Sequence, residues 1–226
     1  MTSATRIRIK VCGLTREQDV DAAVNAGVDA VGFVLYPASP RAVSAERAAE
    51  LASRLPPFVT PVLLFVNETP ERTVAALARV PGATAQFHGD ESPAQCSDAS
   101  GRGAHRFLRA ARIPLGLAGA GFDLVKYASD FSHAQAILLD AHVDGYGGGG
   151  KAFDWSLLPP AVDAHLVLSG GLTPANVADG IRQLRPRCKS LAVDVSSGVE
   201  MSKGIKDAAK IRDFVAAVRA AEFASS

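Results

Sequence analysis

Ile7-Arg-Ile-Lys-Val-Cys12 is a short, β-branched run that stops at Cys12-Gly13, and Thr15-Arg-Glu-Gln18 follows with the spacing of a capping box ahead of Val20, Ala23 and Val24. A strand feeding directly into a helix is the repeating unit of parallel α/β folds. Seven further runs of the same character recur downstream: 30–35, 61–66, 84–88, 105–108, 136–140, 165–168 and 191–195. Most are nearly continuous in apolar character instead of alternating, as parallel strands covered on both faces require. Ser92-Pro93, Thr69-Pro70 and Thr173-Pro174 each place a cap residue before a proline suited to the first helical position. Val177, Ile181 and Leu184 share one helical face, as do Ile211, Phe214, Val215 and Val218.

Eight units in 226 residues leave about 28 residues each, enough for a strand, a helix and two short connections. A compact (β/α)8 barrel and a doubly wound open sheet both satisfy that pattern, because strand count does not decide closure. Leu115-Gly-Leu-Ala-Gly-Ala-Gly121 carries three glycines in seven residues, so the fifth connection is expected to be irregular. No composition shift marks a linker, and one domain spanning residues 1–226 is expected.

Composition narrows the function. Hydrophobic residues make up 48% and charged residues 21%, which supports a packed core and excludes disorder as the main state. Twenty-four Lys plus Arg against 23 Asp plus Glu leave a net charge of +1, so no broad footprint for nucleic acid or an anionic membrane is expected. No stretch reaches the roughly 18 apolar residues of a membrane span, and Met1 to Lys10 lacks the apolar centre of a secretory signal, so a cytoplasmic location is expected. Cys12, Cys96 and Cys188 are odd in number and widely spaced, which fits neither a disulfide framework nor a zinc site.

Ligands in parallel α/β folds bind beyond the carboxyl ends of the strands. Those ends present Cys12-Gly13, His88-Gly89, Asp140, Ser169-Gly170-Gly171, and Asp194 followed by Ser196-Ser197-Gly198, while the second strand leads to Arg41. Glycine-bearing turns after the last two strands offer N–H groups to a phosphate, although tight turns use the same residues. Gly145 to Lys151 superficially fits the phosphate loop of nucleotide hydrolases, but Ala152 lacks the hydroxyl that would hold magnesium. With four consecutive glycines it reads instead as a mobile loop over the mouth. A cysteine at a strand end is, in isolation, usually a small buried hydrophobe, and only its context makes it a candidate base.

Taken together, Lys10 to Thr15, Phe33 to Arg41, Gln86 to Asp90, Leu138 to Asp140 leading into Gly147 to Trp155, Leu168 to Leu172 and Val193 to Glu200 resemble the phosphoribosylanthranilate isomerase family of tryptophan biosynthesis. The resemblance runs from about Ile7 to Val218 in register, departing at Phe87, where Leu is common, and at Gly149, where Ser is frequent. It implies a (β/α)8 barrel that carries out an Amadori rearrangement of N-(5'-phosphoribosyl)anthranilate to 1-(2-carboxyphenylamino)-1-deoxyribulose 5-phosphate. By position, Cys12 matches the family's general base, Asp140 its general acid and Arg41 the residue meeting the anthranilate carboxylate. His88 and Asp194 match active-site positions that either contact substrate or orient neighbouring groups. Gly170, Gly171, Ser196, Ser197 and Gly198 are expected to hold the phosphate.

The implied partner is the small phosphosugar-anthranilate alone, bound by a monomer or homodimer. The reaction needs no cofactor or metal, since the iminium formed on ring opening is its own electron sink. Lys10 falls on the same strand face as Cys12, one step deeper, and is expected to favour the thiolate. A histidine-pathway aminoaldose isomerase, a bifunctional enzyme and a non-catalytic phosphosugar-binding barrel are the alternatives. Cys12 counts against the first of them, whose family resemblance would place Asp there.

Overall fold

The structure is a computed structural model that describes residues 6–141 and 154–223. Strands β1 (Arg8–Cys12), β2 (Ala30–Val34), β3 (Thr60–Phe65), β4 (Thr84–Phe87), β5 (Phe107–Ile113), β6 (Ala136–Ala141), β7 (Val162–Leu168) and β8 (Cys188–Val195) pair in parallel and in sequence order. β8 pairs back onto β1, with Lys10 opposite Asp194, so the sheet is a closed barrel and the open alternative is excluded. Helices α1 (Glu17–Asn25), α2 (Ala45–Ala52), α3 (Pro70–Arg79), α4 (Pro93–Ala99), α5 (Leu124–Asp130), α6 (Val177–Leu184) and α7 (Ala208–Phe223) follow strands one to five, seven and eight. After β5 the chain first forms a 3-10 turn, Gly116–Gly121, which is the irregular connection expected there. A small antiparallel pair, β9 (Glu200–Ser202) and β10 (Ile205–Lys206), precedes α7.

Strand alternation divides the apolar residues between two sides of one wall. Val11, Phe33, Leu63, Phe65, Leu139, Leu168 and Val193 belong to the large core between strands and helices. Their neighbours on the other face form two small clusters inside the barrel: Ala110, Ala136, Leu138 and Val167 in one, Cys12, Val34, Leu64 and Val66 in the other. The predicted helix stripes reach the outer core, with Val177, Ile181, Leu184, Ile211, Phe214 and Val218 buried against it. Each such aliphatic or aromatic side chain contributes about 1.5–3 kcal/mol relative to an exposed one.

Two predicted caps fail, one to a distant partner and one to bonds within its own loop. The N-cap of α1 is Arg16, and the Thr15 hydroxyl instead donates to the Gly204 carbonyl between β9 and β10. Thr173-Pro174 lies in a turn, and α6 begins only at Val177. There the Asn176 side chain accepts from the Thr173 N–H and donates to the Gly171 carbonyl, tying the β7 loop together. Thr69 and Ser92 do cap α3 and α4, the latter with a full capping box through Gln95. β5 also extends past the predicted 105–108, because Ala110, Ala111 and Ile113 find partners on β6.

Candidate active site

Cys12 ends β1 on the inner face, beside Val34 and Leu64, and is 5% exposed. One inward step deeper, the Lys10 ammonium donates to Asp194 Oδ1 at 2.9 Å, and Ser169 Oγ donates to Asp194 Oδ2 at 3.2 Å. Burial opposes the Lys10 charge, yet the Asp194 carboxylate and Cys12 hold its pKa above the ordinary lysine value. At Cys12 burial pushes the thiol up, Lys10 pulls it down and Asp194 pushes it up again, leaving it above the ordinary cysteine value. The Lys10 ammonium favours the thiolate, but its partner carboxylate and the dry surroundings outweigh it.

Removing Lys10 should move Cys12 further up, both by deleting the cation and by leaving Asp194 uncompensated. In Lys10→Met the thiolate absorbance, read as the difference from a matched Cys12→Ser protein, should appear at higher pH. Cys96 and Cys188 do not interfere, since burial pushes them to about 12 and about 11. Superimposable titrations in the two backgrounds would rule out the influence of Lys10.

Asp140 is the last inward-facing residue of β6, on the same inner face, and is 6% exposed. Its Oδ2 lies 2.9 Å from His88 Nε2, and its Oδ1 accepts from the Ala141 N–H at 2.9 Å. Gln86, one inward step below His88 on β4, places Nε2 3.0 Å from His88 Nδ1. The β7 loop closes over this group at Gly170, whose φ of +73° is left-handed. A Cβ there would fall 2.6 Å from the Ala141 N and 2.8 Å from Asp140 Oδ1, so only glycine fits.

Arg41, carried in from the β2 connection, is buried and held bidentately by Glu200, Nε to Oε1 at 2.7 Å and Nη2 to Oε2 at 2.8 Å. It lies across the end of β1, where a Cβ on Gly13 (φ +79°) would come within 2.5 Å of Arg41 Cδ. Lys206, on β10, donates to Glu200 Oε1 at 2.9 Å and to the Ser196 carbonyl at 3.0 Å. Burial pushes the Glu200 carboxyl up, but Arg41 and Lys206 pull it below the usual carboxylate value. Ser196 Oγ in turn donates to the Cys12 carbonyl at 3.0 Å. This serine hydroxyl braces the candidate base.

Sequence reasoning assigned no role to Glu200, Lys206 or Gln86. Glu200 and Gln86 lie inside runs already quoted, but Lys206 carries no local signal. Only folding distinguishes it from Lys203, since Lys203 is exposed and the Lys206 side chain is fully buried. Lys10, Arg41 and Lys206 against Asp194 and Glu200 make three cations and two carboxylates, a surplus of one positive charge near Cys12.

Gly170 and Gly171 are both left-handed, and residues 197–199 form a 3-10 turn after β8. The two loops touch: a Cβ on Gly198 would lie 1.9 Å from the Leu172 carbonyl oxygen. The turns expected to hold phosphate, Gly170-Gly171 and Ser197-Gly198, are therefore adjacent in space. The glycine-rich 145–151 loop lies outside the described residues. Among the described residues no cluster of three or more His, Cys, Asp or Glu could hold a metal ion, and no helix is long and apolar enough to cross a membrane.

A family model described as N-(5'phosphoribosyl)anthranilate (PRA) isomerase matches residues 9–217. The chain belongs to the phosphoribosylanthranilate isomerase family. An N-(5'-phosphoribosyl)anthranilate isomerase of Methylibium petroleiphilum is 63% identical over 217 residues, covering 96% of each chain. The structure of phosphoribosyl anthranilate isomerase from Thermotoga maritima superimposes with a TM-score of 0.81 at 39% identity, covering 95% of this chain and 99% of that one. A phosphoribosyl anthranilate isomerase solved with reduced 1-(o-carboxyphenylamino)-1-deoxyribulose 5-phosphate is also similar, at 34% identity and a TM-score of 0.75, covering 95% and 99%. In this isomerase, then, the thiol of Cys12 and the carboxyl of Asp140 sit at the catalytic end of a (β/α)8 barrel.

Proposed function

We propose that this isomerase converts N-(5'-phosphoribosyl)anthranilate to 1-(2-carboxyphenylamino)-1-deoxyribulose 5-phosphate, the aldose-to-ketose step of tryptophan biosynthesis, in the cytoplasm. The observation that carries the reading is that Cys12 and Asp140, 128 positions apart, are the last inward-facing residues of their strands at one barrel mouth. Asp140 protonates the furanose ring oxygen as the C1–O bond breaks, giving an iminium at C1. The Cys12 thiolate then removes the acidified C2 proton, and the resulting enolamine tautomerises to the ketose. General acid and base assistance is worth roughly 10² to 10⁴ in rate per group. Fixing both ends of the substrate supplies orientation in addition.

Glu200 engages Nε and Nη2 of Arg41, which leaves Nη1 to reach the anthranilate carboxylate. The paired turns at Gly170-Gly171 and Ser197-Gly198 take the phosphate through backbone N–H groups. Asp194 orients Lys10 beneath the thiol.

Incubation of the purified chain with freshly prepared phosphoribosylanthranilate should quench the substrate's fluorescence well above the spontaneous background. No decay beyond that background would refute the activity.

A further inference from the structure

Gln86 is fully buried on the inner face of the barrel, and its register neighbours on β3 and β5 are Leu64 and Leu108. Those neighbours leave nothing for an amide to bond, and Gln86 Oε1 indeed has no hydrogen-bond partner among the described residues. A buried oxygen left unpaired is destabilising, and a leucine would avoid that cost. The amide does contact the imidazole, with Nε2 3.0 Å from His88 Nδ1.

A neutral imidazole has one N–H and one bare nitrogen, and the partner of one determines the role of the other. The amide Nε2 can only donate, so Nδ1 is the bare nitrogen and Nε2 carries the hydrogen. His88 Nε2 therefore donates to Asp140 Oδ2, while Ala141 N–H donates to Oδ1. Both oxygens of Asp140 then accept, an arrangement complementary to the carboxylate that remains once its proton has passed to the ring oxygen. A doubly protonated ring would set Nδ1–H against the amide N–H.

We propose that Gln86 is a positioning residue: its amide holds His88 as the neutral Nε2–H tautomer, so that Asp140 alone is the acid and its conjugate base is stabilised the moment it forms. The proposal rests on the assignment of Asp140 as the general acid and adds the two-residue relay behind it.

Imidazole ¹⁵N shifts of the whole protein, with His88 assigned by the signal missing in His88→Asn, should show Nε2 protonated and Nδ1 bare. Gln86→Glu reverses the polarity of the amide while keeping its shape, so His88 should gain an Nδ1 proton. kcat should then fall roughly 10–100-fold with KM changed by less than about 3-fold, by analogy with the loss on altering the hydrogen-bond partner of a metal-bound imidazole. Gln86→Leu should lose kcat without the Nδ1 proton. An Nδ1–H tautomer in the unsubstituted protein, meaning that the amide faces the ring with its oxygen, would overturn the proposal, as would full kcat in Gln86→Glu. The spectrum of the unsubstituted protein decides the tautomer even if a variant fails to fold. It needs no substrate, so it stands apart from any failure of the isomerase assay.

Discussion

Cys12→Ser and Asp140→Asn should each lower kcat by about 10² to 10⁴ while leaving KM within a few-fold of the parent. Serine preserves the shape of the side chain but not the proton affinity of a thiol, so no usable base remains at neutral pH. Asparagine has a single accepting oxygen for the two donors His88 and Ala141 N–H, and it has no proton to deliver to the ring oxygen. Each loss corresponds to about 3–5 kcal/mol of transition-state stabilisation. The two groups act on one substrate in succession, so the double variant should be less impaired than the product of the single losses. Steady-state fluorescence kinetics with purified variants reads all three. Activity equal to the parent in either single variant would remove that residue from the mechanism.

Arg109→Leu should produce the largest loss of stability. Arg109 points away from the barrel interior, where its guanidinium donates to the Phe87 carbonyl at 3.0 Å, the Gly89 carbonyl at 3.1 Å and Glu91 Oε2 at 3.0 Å. It also stacks 4.9 Å from the Phe131 ring centroid. Glu91 completes the clasp by accepting from the N–H groups of Asn67 and Gly89. Both side chains are almost fully enclosed, so removing one leaves an uncompensated buried charge and costs about 3–5 kcal/mol. For a chain of this size the melting temperature should drop by roughly 6–20 °C. Adding Glu91→Gln to Arg109→Leu should restore part of it, because the stranded charge is gone. A single-variant shift under about 3 °C by calorimetry would show that the clasp contributes little. Since its two carbonyl contacts flank His88, the single variant should also lose kcat at temperatures where it remains folded.

Much of this architecture is legible in local sequence, and the failures are instructive. The strands were readable because parallel strands buried on both faces leave continuous β-branched runs such as Leu191 to Val195. Ser92 and Thr69 cap helices where nothing else competes for their hydroxyls, whereas Thr15 is claimed by Gly204, 189 positions away. Cys12, Asp140, Arg41, His88 and Asp194 were found through motif resemblance and strand-end position, and the barrel brings them to one mouth. The partners that tune them escaped notice. Glu200 and Lys206 enter through the β9–β10 pair, which is too short to leave a pattern, and Gln86 resembles any polar residue within a strand.

The order of strands and helices, the inward parity of Lys10, Cys12 and Asp140, and the turn chemistry around Gly170 are local properties, written in spacing and residue type. Closure of β8 onto β1 is not, because Lys10 and Asp194 become neighbours only when the whole sheet curls round to meet itself. The charges around the thiol belong to that second category as well. Coulomb interaction depends on distance through space and on the exclusion of water, and neither exists along an unfolded chain.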